Sequence, residues 1–147
     1  MTIPEVPASA RVNLSGPAQL VQAVPYLLGH AGLNDDLVLI CTRAERHTLA
    51  LRMDLALLGH PELWERISAP LSAAGADAVH LIAYPAEVDA AVLADLHTLF
   101  ALATVTCPPH LGIRRVITTA AGTWWEHDLS APAPTGPGRA VAEDAAT

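Results

Sequence analysis

The chain has 147 residues, of which 52% are hydrophobic and 16% charged, a balance that excludes a disordered or fibrous protein and suits one folded domain. Its net charge is −7, and its eight basic residues are all arginines, with Arg114-Arg115 the only adjacent pair. Nucleic-acid binding needs a concentrated basic face to displace counterions from phosphates, so nucleic acid is not an expected partner.

The opening MTIPEVPASARVN lacks the basic start and apolar core of a signal peptide, and no apolar run of about 18 residues is present to span a membrane. The expected location is therefore the cytoplasm. Two cysteines, Cys41 and Cys107, make no disulfide framework, and free thiols fit that compartment.

Residues 1–10 hold Pro4 and Pro7 without a sustained period and read as a loose lead-in; Val12 and Leu14 place a short strand over Arg11 to Leu14. Ser15-Gly16-Pro17 then opens a helix, with Pro17 in the first turn, where its missing N–H has no partner to lose. Leu20, Val21, Val24, Leu27 and Leu28 form its apolar stripe, Pro25 bends or divides it, and Gly29 closes it. After a polar turn at Asn34-Asp35-Asp36, the run Leu37 to Cys41 is apolar at consecutive positions, which predicts a central strand covered on both faces.

A short polar link, Arg43 to His47, leads into the alternating run Leu49 to Leu55 and predicts an antiparallel hairpin. A second helix follows Gly59-His60-Pro61, with Leu63, Trp64, Ile67, Leu71 and Ala74 on one side, Pro70 in its later half and Gly75 at its end. Ala78 to Tyr84 is another buried strand. The next helix is predicted over Ala86 to Ala103, with Val88, Val92, Leu96, Leu99 and Ala103 as its stripe. A closing hairpin pairs Ile113–Thr119 with Thr123–His127, and residues 130–147 read as a Pro/Ala/Gly-rich tail with little fixed structure.

The order β-α-β-β-α-β-α-β-β predicts a single α/β domain over residues 11–129. Its mixed sheet is parallel where helices make the crossovers and antiparallel at the hairpins, and about three helices pack on it.

The segments LSGPAQLVQAVPYLLG, NDDLVLI, LALRMDL, GADAVHLIAYP and GTWWEHD together resemble the actinobacterial family called domain of unknown function 4192. The resemblance covers residues 11–127. Asp35-Asp36 stands at that family's Asp-Ser position, and Arg52, Asp54 and Leu55 match its R-x-D-L strand. Longer members of the family continue into a cysteine-bearing segment, whereas residues 130–147 here contain no cysteine. The resemblance implies a fold and a bacterial source, and no reaction.

The seven histidines are spread singly, without HxH, HExxH or CxxC spacing, so no metal site and no cofactor is expected. His80, inside a strand, reads as a core imidazole. GxSxG, GxxxxGK[ST] and GxGxxG are all absent.

Two functional readings remain, and the residues leave open whether any reaction is catalysed. Adjacent strand residues point to opposite faces, so one of Trp124 and Trp125 faces the core and the other is either an anchor for a protein partner or a second copy, or is covered by a helix or the tail. That makes a self-associating or protein-binding module the first expectation. The second is a small-molecule-binding protein or enzyme with a polar site at the strand ends, where Arg52 grips an anionic group and Asp54 or Asp35 acts as base.

Overall fold

The computed structural model describes residues 17–28, 33–44 and 46–140, with the backbone alone over 25–28. The strand expected at Arg11 to Leu14 and the lead-in at 1–10 lie outside the described residues.

Helix α1 spans Pro17–Leu28 and runs on through Pro25 as one element. Its residues Leu20, Val21, Ala23 and Val24 are buried. Strand β1, Asp36–Arg43, is buried over six consecutive positions, as a strand covered on both faces must be. Leu37, Leu39 and Cys41 face one side, and Val38 and Ile40 face α1 on the other. Strand β2, Arg46–Asp54, pairs antiparallel with β1 and starts three residues earlier than the apolar alternation from Leu49 predicts.

A 3-10 helix over Leu55–Gly59 follows directly, a feature the apolar run LALLG did not reveal. Its start is set by Asp54, whose side chain accepts the Ala56 N–H at 3.0 Å. Helix α2, Glu62–Ala74, ends at Gly75 as predicted, runs through Pro70, and buries Leu63, Trp64, Ile67 and Leu71. Strand β3 is Ala78–Tyr84.

Helix α3 spans Ala90–Thr106, which corrects the expected start at Ala86. Asp89 is extended and its carboxylate accepts the Val92 N–H at 2.9 Å, so the helix begins after it. The buried stripe is Leu93, Leu96, Phe100 and Ala103, with Val92 and Leu99 only partly covered. Strands β4, Gly112–Ala120, and β5, Thr123–Glu126, form the closing hairpin.

Residues 131–138 carry no helix or strand. Arg139–Ala140 forms a two-residue strand, β6, paired with β5. The approach is close enough that only glycine fits at position 138, since a Cβ there would lie 2.7 Å from both the Trp124 carbonyl oxygen and the Trp125 ring.

The six strands lie in the order β2-β1-β3-β4-β5-β6. Because β1 is antiparallel to both β2 and β3, the β2-α2-β3 connection joins strands running the same way, stepping over β1. The β3-α3-β4 connection joins adjacent parallel strands. Both crossovers step along the sheet in one direction, and two connections of the same hand then put their helices on the same face. That is where α2 and α3 sit, over the larger core cluster with Leu81 and Val116, while among the described residues α1 covers the opposite face at Ile82, Ile117 and Trp124. The result is three layers, helices on both sides of one mixed sheet.

Candidate functional site

The sheet brings the predicted strand-end residues together, where Asp35 and Asp54 hold backbone N–H groups and Arg52 holds a carboxylate. Asp36 is register partner to both Asp54 and Tyr84, so three strands meet there. Arg52 pairs with Asp36 and not with Asp54, its Nη2 lying 2.9 Å from Asp36 Oδ2. The same carboxylate oxygen accepts the Asn34 N–H at 2.8 Å. Asp35 sits at φ 52°, its side chain accepting the Ala86 N–H and its carbonyl accepting the Leu55 N–H, each at 3.0 Å. These bonds tie the loop before β1 to the ends of β2 and β3. Burial raises the pKa of the Tyr84 phenol above its usual range.

The tryptophan hairpin divides as strand alternation requires. Trp124 is 3% exposed and packs beneath α1, with the Arg139 guanidinium 5.6 Å from its ring centroid, so it offers no surface to a partner. Trp125 faces the other way and is half-buried, its indole N–H donating to the Gly136 carbonyl at 3.0 Å. Of the alternatives for the second tryptophan, cover by the segment after residue 130 is the one seen, with Gly136 and Gly138 against its ring.

A polar concavity lined by described residues lies at the open edge of β4, a feature the sequence reading missed. Strand β5 pairs with β4 only from Ile117 onward, and the His127 N–H adds one bond to the Val116 carbonyl, at 2.9 Å. Below that, a cavity of about 500 Å³ opens between β4 and residues 126–130. The β3–β4 register slips by one residue here, since Val79 pairs with Ile113 but the next residue, His80, pairs with Arg115. Arg114 is the extra residue of a bulge, where two residues oppose one and the local twist re-aims the chain. Arg114 and Arg115 both line the cavity, which the edge of β4 borders over Ile113 to Val116.

The charges in the cavity are partly spent on one another. Arg115 Nη1 lies 2.6 Å from Glu126 Oε2. Asp128 Oδ1 accepts both the backbone N–H and the hydroxyl of Ser130, at 3.0 and 2.6 Å, and these bonds hold its pKa below the usual value. Arg114 is exposed and has no hydrogen-bond or ion-pair partner among the described residues.

Behind this wall, His127 is 5% exposed, with Nε2 2.7 Å from the Thr118 hydroxyl and Nδ1 3.1 Å from Nδ1 of His97. A neutral imidazole has one N–H and one lone pair, so if Thr118 donates to His127, His127 donates to His97, and the reverse orientation reverses both. Burial, and then the charge of His97, lower the His127 pKa to about 4. His80 is likewise pushed down to about 4, by burial and then by Arg115 and Arg114, and its buried Nδ1 has no hydrogen-bond partner among the described residues. It is a core imidazole, as expected, though not a hydrogen-bonded one at that nitrogen.

Cys41 and Cys107 are both free, and burial raises the Cys41 pKa to about 12, which keeps it an inert thiol. Among the described residues no group of three or more His, Cys, Asp and Glu side chains is placed to hold a metal ion, and no helix is long and apolar enough to cross a membrane.

Fold and site together define an α/β protein of three layers with a mixed-charge cavity at an interrupted sheet edge. The chain belongs to the family described as Domain of unknown function (DUF4192), whose model matches residues 17–146 and so runs on through the segment that covers Trp125. No curated protein and no solved structure matches it.

Proposed function

We propose that this protein binds a small polar molecule in the cavity at the open edge of β4. The observation that carries the reading is the cavity itself, a ligand-sized space of about 500 Å³ beside the register slip of β4 and lined by both arginines. The apolar wall of Ile113, Val116 and Leu129 gives a ligand somewhere to bury its body, and the strand edge and charged groups give it orientation. This keeps the class of the small-molecule expectation and moves its place from Arg52, Asp54 and Asp35, whose side chains are occupied in holding loops and strands.

The test is a chemical-shift titration of the uniformly ¹⁵N-labelled chain with a library of small polar metabolites. Binding at the cavity moves the amides of residues 112–116 and 126–130 while those of 35–36 and 52–54 stay in place. Movement confined to 35–36 and 52–54 would return the site to the strand end, and no movement at all with any compound would reject both.

A second reading, self-association with a second copy, is supported by α3 and not by the tryptophans. The helix is apolar on most of its circumference, and its outer face leaves Val105 82% and Leu102 45% exposed. Trp125 contributes at most the part of its ring that residues 134–138 leave open.

A further inference from the structure

Deepening the cavity reading, and resting on it, we infer that the ligand is a small zwitterion carrying a carboxylate and a protonated amine, held between Arg114 and Asp128. Among the described residues, two guanidinium groups and two carboxylates line the cavity. Arg115 and Glu126 neutralise each other, which leaves one cation, Arg114, and one anion, Asp128. Ser130 engages only Oδ1 of Asp128. Oδ2 remains to accept an ammonium N–H, while the Arg114 guanidinium presents a planar fork that matches a carboxylate.

A simple anion gains Arg114 but is repelled by Asp128, and a simple amine meets the converse. A molecule bearing both charges satisfies both, and its apolar portion lies on Ile113, Val116 and Leu129. Neutrality of the lined space also fits a ligand that is itself neutral overall, since no net field is needed to draw it in. Each charge-assisted contact is worth about tenfold in affinity or more.

The experiment is calorimetric titration of the full chain, at about neutral pH, where a primary amine and a carboxylate are both charged, with L-leucine and 5-aminopentanoate as zwitterions of short and long charge separation. The single-charge controls are 4-methylpentanoate and 3-methylbutylamine, which are leucine without its amine and without its carboxylate. At least one zwitterion should bind about tenfold more tightly than either control. Arg114→Gln and Asp128→Asn, the latter keeping an oxygen to accept from Ser130, should each cost that advantage while leaving the circular dichroism spectrum unchanged. If a control binds as tightly as either zwitterion, and in the ¹⁵N titration of the same compounds shifts the amides of residues 112–116, the ligand class is wrong and the cavity reading stands. If none of the four compounds moves those amides, the zwitterion assignment is overturned and the cavity reading then depends on the wider library. If a zwitterion binds but neither variant weakens it, Arg114 and Asp128 are not its contacts and the inference fails.

Discussion

His80 and His127 are imidazoles that folding removes almost wholly from water, at 4% and 5% exposure, and both have pKa values pushed down to about 4. The ordinary value is 6.5, which the unfolded chain retains. Between the two values the unfolded state binds more protons than the native one, so stability rises with pH across that window. Their contribution is fully present above pH 6.5 and is lost progressively as pH falls through about 4. A urea midpoint measured from about pH 7 down to about pH 4 should fall, and His80→Gln should flatten the dependence. A His80→Gln chain whose midpoint tracks the wild type over the whole window would show that the imidazole stays solvated in solution. At the same scale, Arg114-Arg115 was visible in the sequence as the one adjacent basic pair. Strand alternation assigns such neighbours to opposite faces, and nothing local to the pair announces the cavity that both line.

The elements were legible where the side-chain pattern is strong. The consecutive apolar runs of β1 and β3 and the alternation of β2 read correctly, and so did the glycine end of α2. The start of α3 was misplaced because Glu87, Val88 and Asp89 fit a helical period as well as they fit a turn, and only the Asp89 cap decides between them. The β4-β5 turn offers a direct test of element chemistry. Ala121 and Gly122 have φ of 53° and 77°, the positive pair of a type I′ turn, and an alanine at such a position is strained by its Cβ. Ala121→Asn should therefore stabilise the protein, by about 0.5–1 kcal/mol, raising the urea midpoint without changing the slope. A lowered midpoint would mean that the turn relaxes to another form in solution.

At the scale of the whole molecule, two faces of one sheet are covered unequally, two helices and a 3-10 turn on one side and α1 on the other. Helix α3 must bury Leu93, Leu96, Phe100 and Ala103 against the sheet, yet its sequence is apolar well beyond that stripe. If that surplus serves self-association, light scattering after size exclusion of the full chain should give a dimer at micromolar concentration, and Val105→Glu should convert it to a monomer of unchanged fold. Trp125→Ala should leave the mass unaltered, because Trp125 is already engaged by Gly136. A wild type that runs as a monomer would remove the second reading and leave the cavity as the functional surface.

The sequence by itself determined the α/β class, the core strands and most helix limits, because those follow from composition and from periods within a single segment. It also determined that one tryptophan of the hairpin lies inside and the other outside. Tertiary structure decided which one, placing α1 over Trp124 and residues 134–138 over Trp125. It decided that Arg52 serves Asp36, and that Arg114, Arg115, Asp128 and Ser130 share one space. Those outcomes depend on strand register and on where β5 stops, contacts between residues distant in the chain that no local pattern encodes.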